Sequence, residues 1–335
     1  MSRRPPARRL IIFVGLILSG CSCLRPHPCE KRKDPVGDKQ RLRKESFHCR
    51  TMSTPLRTWT VYVSRASAPG APPVVLLHEM PALSADVLDL GRRLAEQGFT
   101  VYVPLLFGRP DDNPQNELLG LTRGIALRAD PKWRAGRGDV HRPIIDEIAT
   151  LCRKEILPHH PGQRLGVIGM CLTGVFPIAL LRESDLPVAA PVVSQPAIPL
   201  PSCTEAAQSE TGISPDEMQL ILRNVAHDNI EILGFRFELD KVSPEKRFEV
   251  LKREFNVKDR HFIDCTVRKS DYVSQGHLSD RAHSVLAGCY HKDVPPHGSN
   301  LSSTEIAWRR LLAFLHAKLD GAEAHPYVEP FPERL

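Results

Sequence analysis

Apolar positions divide the chain into a polar N-terminal stretch and a body in which short apolar runs alternate with segments of helical period. Thr58–Ser64 and Pro73–Leu77 predict strands. Ser84 predicts the cap of a helix running to about Gln97, with Leu88, Leu90 and Leu94 apolar and Gly98 as its stop. A strand follows at 99–103. Helices are expected at 144–156, 175–181, 217–225, 245–255 and 304–318, and strands at Leu165–Met170, Val188–Ser194, 231–238 and 261–267. A run such as Val74-Val75-Leu76-Leu77 offers neither face to water and must be covered on both sides. Its alternation with helices therefore predicts an α/β fold, a mainly parallel sheet with helices on both faces.

The first twenty residues follow a different grammar. Arg3, Arg4, Arg8 and Arg9 precede an apolar run at 10–18, and Ser19-Gly20-Cys21 comes next, which is the layout of a signal peptide. The run is shorter than the roughly 20 residues a membrane span needs. Leu18-Ser19-Gly20-Cys21 resembles the lipobox of bacterial lipoproteins, which implies a diacylated Cys21 at the mature N-terminus and a lipid-anchored protein of the cell envelope. The chain then divides into a lipoprotein-type signal peptide (1–20), a basic tether (21–55) holding Cys23, Cys29 and Cys49, a folded domain (56–320) and a tail (321–335). Translation from Met52 is the alternative, and it would leave a cytoplasmic protein without a leader.

Charge sharpens this division. The net charge is +6. The four leader arginines, together with nine Lys/Arg against four Asp/Glu in residues 24–50, exceed that total, so the body is mildly acidic. A nucleic-acid partner would require a basic stripe on the folded body and is not expected. The nine cysteines show neither paired C-x-x-C spacing nor a regular disulfide framework, and most histidines fall in loops. Neither a metal nor a cofactor is implied.

Candidate chemistry begins at Gly169-Met170-Cys171-Leu172-Thr173-Gly174. A buried strand, a tight turn flanked by small residues and an apolar helix form a nucleophile elbow with cysteine at its apex. A buried, inert thiol is the plainer reading of Cys171. A cysteine nucleophile needs a base and an acid that orients the base. Functional groups of parallel sheets gather at the carboxyl ends of strands. Asp240, just beyond the strand at 231–238, fits the acid, although a solvated loop aspartate fits the spacing equally well. His283 lies beyond the last strand and fits the base, with His277 and His291 as competitors. Nucleophile, acid, histidine is the chain order of α/β hydrolases.

Leu76-Leu77-His78-Glu79-Met80-Pro81, the strand and P-x-L-F-G-R turn over 101–109, the elbow, and Ala282-His283-Ser284 together resemble the dienelactone hydrolase family, across roughly residues 56–320. The resemblance implies an α/β-hydrolase fold and cofactor-free cleavage of a small-molecule ester or lactone through a thioester on Cys171. Asp240 and His283 would be its partners, and the Leu172 and Met80 amides would form the oxyanion hole. Glu79 would contact the resting thiol, where a like charge raises the thiol pKa, until substrate displaces it and hands Cys171 to His283. The alternative for Glu79 is a structural carboxylate near the Ser84 cap. Two positions depart from the founding members: Thr173 replaces a glycine, and Ala287 replaces the arginine that holds a substrate carboxylate, leaving Arg109 and Arg134 as possible substitutes. A catalytically inert binding or scaffold protein of the same fold, and a redox role for Cys171 with another cysteine, are the competing readings.

Overall fold

The computed structural model describes residues 33–65, 68–133, 143–197, 204–257, 259–272, 281–291 and 302–320. The leader, Cys21, Cys23, Cys29, Arg134, His277 and the tail at 321–335 lie outside them. The elements in chain order are α1 (Pro35–Ser46), β1 (Phe47–Ser53), β2 (Thr58–Ser64), β3 (Pro73–Leu77), α2 (Ala85–Glu96), β4 (Thr100–Pro104), α3 (Glu117–Ala129) and α4 (Ile144–Leu151). They continue with β5 (Leu165–Met170), α5 (Phe176–Leu180), β6 (Val188–Ser194), α6 (Glu205–Ser209), α7 (Pro215–Asp228) and β7 (Ile232–Phe237). The last are α8 (Glu245–Phe255), β8 (Phe262–Val267), α9 (Lys269–Tyr272) and α10 (Ser303–Leu319).

Eight strands form one sheet in the order β1-β2-β4-β3-β5-β6-β7-β8. β1, β2 and β4 pair antiparallel, and β4 through β8 are parallel throughout. Strand alternation sends successive side chains to opposite faces. In β3, Val75 and Leu77 join the core beneath α4, α5, α7 and α8, whereas Val74 and Leu76 join the core beneath α2 and α10. This is the expected two-faced α/β architecture. The helix expected over 144–156 is α-helical to Leu151 and finishes in a wider π-type turn over Cys152–Ile156.

The basic segment assigned to a tether is folded from Pro35 onward, which corrects the domain boundary at residue 56. Asp34 caps α1 by accepting from the Gly37 amide at 2.8 Å, with Pro35 pre-set in the first turn. β1 pairs with β2 along its whole length, from Phe47 opposite Ser64 to Ser53 opposite Thr58. Leu42, Phe47 and Met52 are buried. The segment reads as polar because α1 hides only Lys39 and Leu42, while β1 is an edge strand whose middle faces water, where charge protects against unwanted pairing. Lys39 is fully buried and donates from Nζ to the Asp112 carbonyl.

Candidate active site

Four sequence-predicted side chains converge at the carboxyl ends of the parallel strands: Glu79 after β3, Cys171 after β5, Asp240 after β7 and His283 beyond β8. Cys171 occupies the left-handed region at φ +55°, an uncommon conformation for a residue with a side chain. Its neighbours permit the turn. A Cβ on Gly169 would lie 2.2 Å from the Thr173 carbonyl oxygen, and one on Gly174 would lie 2.5 Å from Pro196 Cα. Both glycines are therefore dictated by close backbone approach. The Thr173 hydroxyl accepts from the Met170 amide at 3.0 Å and lies 3.0 Å from the carbonyls of both Met170 and Leu77. Threonine here is an added tie between the elbow and β3.

Asp240 and His283 are both buried, and His283 Nδ1 donates to Asp240 Oδ2 at 2.7 Å. The other oxygen, Oδ1, accepts from the Val242 amide at 2.9 Å and the Ser243 amide at 3.1 Å. The carboxylate is fixed in an Asx turn rather than solvated in a loop. Nε2, across the imidazole, makes no hydrogen bond of ordinary geometry. Burial by itself would lower the His283 pKa, but the charges of Asp240 and Cys171 outweigh it and hold it well above the ordinary value.

Glu79 departs from expectation. Its Oε1 accepts from Ser284 Oγ at 2.9 Å and its Oε2 from Gln195 Nε2 at 3.3 Å, so its bonds go to these two residues and not to the thiol. Ser84 caps α2 with its own side chain, accepting from Val87 at 3.2 Å, so Glu79 is not that cap. Burial raises the Glu79 pKa, against the opposing influence of His283 and Ser284. Gln195 and Ser284 are site residues that sequence reasoning missed. The available signal was position, since Gln195 follows a parallel strand as the others do and Ser284 adjoins His283.

His78, at the start of the Glu79 loop, is fully buried, and burial lowers its pKa to about 4. The neutral ring donates from Nδ1 to the Glu79 carbonyl at 3.1 Å and accepts at Nε2 from the Leu106 amide at 3.0 Å. Arg123 on α3 steadies the other end of the loop, donating to the Pro81 carbonyl at 2.7 Å and to Asp112 at 2.8 Å. Between them stands Met80, whose amide, like that of Leu172, takes part in none of the turn and loop backbone hydrogen bonds.

Two neighbouring positions bear on the substrate. Ala287 is buried in the apolar cluster with Ala282, Val285 and Leu286. Arg109 is exposed and is engaged through its backbone amide with Asp112. Cys49, Cys152, Cys171 and Cys265 are free thiols, and Cys289 is disulfide-bonded. Burial pushes Cys152 up to about 12 and raises Cys265, which leaves both unreactive.

The model of the dienelactone hydrolase family matches residues 59–214, a span that includes Glu79 and the elbow and ends before Asp240 and His283. No curated protein matches the sequence. Among solved structures, a Klebsiella pneumoniae protein assigned as a dienelactone hydrolase aligns with TM-score 0.52 and 16% identity, over 80% of this chain and 97% of that one. A dienelactone hydrolase-like promiscuous phosphotriesterase from metagenomic libraries aligns with TM-score 0.50 and 15% identity, over 82% and 99%. At these identities the structures speak for the fold alone, and the family model carries the assignment. Residues 59–214 match the dienelactone hydrolase family, and on the α/β-hydrolase fold that match supports a hydrolase of ester type.

Proposed function

We propose that the protein cleaves carboxylic esters or lactones through a Cys171-His283-Asp240 triad and a thioester intermediate. The observation that carries this reading is the His283–Asp240 bond of 2.7 Å, with the far imidazole nitrogen unbonded and Cys171 at an elbow with φ +55°. The Cys171 sulfur attacks the carbonyl carbon, and the developing oxyanion accepts from the Leu172 and Met80 amides. Collapse breaks the bond to the alkoxide, which takes a proton from the His283 imidazolium and leaves an acyl thioester. His283 next removes a proton from water. The resulting attack releases the acid and returns the thiolate. Asp240 holds the ring in the tautomer both steps require.

We also propose residence at the cell envelope through Cys21. The leader pattern motivates it, and the Cys289 disulfide is at home in an oxidising compartment. Fractionating a bacterial host that expresses full-length protein beside Cys21→Ser tests it. Finding both proteins in the cytosol would refute it.

Kinetics of Cys171→Ala on short esters and lactones test the chemistry. The expected loss in kcat is at least about a thousandfold with an unchanged circular dichroism spectrum, and retention of more than roughly a tenth of wild-type activity would overturn the assignment. Asp240→Asn and His283→Ala should impair the same step without adding to the Cys171→Ala loss.

A further inference from the structure

The β1 edge of the sheet carries a cleft of its own, with β2, β4 and β3 standing between β1 and the strand that leads to Cys171. Its volume is about 420 Å³, within the range of small-molecule sites. Phe47 from β1 and Tyr62 from β2 are buried beneath it. Arg43 and Lys44 line it from α1, Arg65 from the end of β2, and Asp111 from the loop after β4. Three cations against one carboxylate leave the lining with a net charge of +2. The side chains of Lys44 and Arg65 form no ion pair among the described residues. Arg43 is held only by two long bonds of 3.3 Å, to the Pro110 carbonyl and to Asp111 Oδ1.

Two donors in this lining lack an acceptor. Arg43 Nε and the Tyr62 hydroxyl are buried and have no hydrogen-bond partner among the described residues. The Arg43 guanidinium lies 5.0 Å from the centre of the Tyr62 ring, so the two groups belong to one local arrangement. Burial raises the Tyr62 pKa against the opposing influence of Arg43, and the hydroxyl therefore keeps its proton and can donate. Buried polar groups are nearly always bonded. Orphaned donors in a cationic cleft point to an acceptor that comes from outside the chain.

We propose that this cleft binds a phosphate monoester, with Arg43, Lys44 and Arg65 balancing its charge and the Tyr62 hydroxyl donating to one of its oxygens. A monoester carries close to two negative charges at neutral pH and three terminal oxygens, which match the net charge and the number of donors better than a carboxylate does. Arginine suits it because the guanidinium fork reaches two phosphate oxygens at once. A phosphate group fills only part of the cleft, and the rest has room for the organic portion of the ester. The site is separate from the hydrolytic one and does not depend on the identity of the nucleophile.

The full chain carrying Cys21→Ser, which removes any acyl anchor, is titrated calorimetrically near pH 8, where a monoester is fully ionised. Methyl phosphate should bind with a Kd below about 1 mM, and at least about tenfold more tightly than the singly charged dimethyl phosphate. Arg65→Gln should weaken binding about tenfold and Tyr62→Phe at least about threefold, with hydrolysis of a short ester unchanged in both. Arg65 is exposed, so its variant reads binding even where Tyr62→Phe fails to fold. Cys49, a free and exposed thiol lining the same cleft, reports occupancy locally. At ten times the Kd, mass action leaves about a tenth of the clefts empty, and iodoacetamide alkylation of the Cys49 peptide should slow several-fold. Phosphatidylcholine vesicles containing phosphatidic acid distinguish the source of the group. Retention on them that methyl phosphate reverses assigns a lipid headgroup, and binding of methyl phosphate without retention assigns a soluble ester. Binding of neither overturns the proposal. So does phosphate binding that leaves Cys49 alkylation unchanged and is indifferent to Arg65→Gln.

Discussion

The hydroxyl of Thr173 lies 3.0 Å from the carbonyl oxygen of Leu77, a contact across the sheet between the turn that carries Cys171 and the strand that leads to Glu79. The side chain is an anchor and not a clash, because it turns back onto the Met170 backbone.

Thr173→Val keeps the shape and removes the hydroxyl, leaving the buried Met170 amide without its acceptor. The expected destabilisation is about 1–3 kcal/mol, read as a lowered denaturant midpoint. It should be accompanied by a fall in kcat larger than any change in KM. An unchanged midpoint would show that the tie has no energetic consequence.

Acid sensitivity should originate at His78. Its folded pKa is about 4 against an ordinary value of 6.5, so the unfolded chain binds the extra proton in the interval between them. Stability from the neutral ring is complete above pH 6.5 and is lost as pH falls toward 4, by at most on the order of 3 kcal/mol. Melting temperatures recorded from pH 7 to pH 4 should drop less steeply for His78→Gln than for wild type. Parallel curves would remove His78 as the source.

A chain beginning at Met52 loses α1 and most of β1. It exposes β2, whose Trp59, Val61, Tyr62 and Val63 are buried in the intact fold, as an unprotected edge. Expression of residues 52–335 should give aggregated or markedly less stable protein beside a soluble 33–335. Equal yields and melting temperatures would show that the N-terminal elements are dispensable.

Substrate charge should follow from the residue at 287. Ala287 offers no cation and is packed in the core, and burying an unpaired carboxylate is costly. A lactone bearing a free carboxylate should show a lower kcat/KM than its methyl ester. Preference for the free acid would mean that a cation elsewhere reaches the substrate.

The sheet was legible because strands such as β3 are apolar on both faces and β6 is bounded by turn residues. The elbow was legible because close packing leaves only glycine at 169 and 174. α1 escaped notice because its buried residues include a lysine whose partner, the Asp112 carbonyl, is 73 positions away. Residues acting through distant partners leave no local period. Asp240 could not be separated from a surface aspartate by spacing, since what distinguishes it is the two amides of its own turn together with a histidine 43 residues further on. Glu79 was found through a motif, yet its partners Ser284 and Gln195 belong to other strand ends.

Cys171 and Gln195 stand side by side at the ends of adjacent strands, and each holds a backbone conformation that suits glycine better. Selection for thermal stability would therefore meet its easiest gains at the two positions where activity can least tolerate change. Glycine at 195 would relax the backbone and make the protein harder to melt while deleting the amide that steadies Glu79. A laboratory lineage evolved for heat resistance alone should drift toward an inert enzyme by this route. One evolved under heat with continuous demand for turnover should retain both residues and acquire its stability elsewhere, beginning with surface positions of α1 and α8.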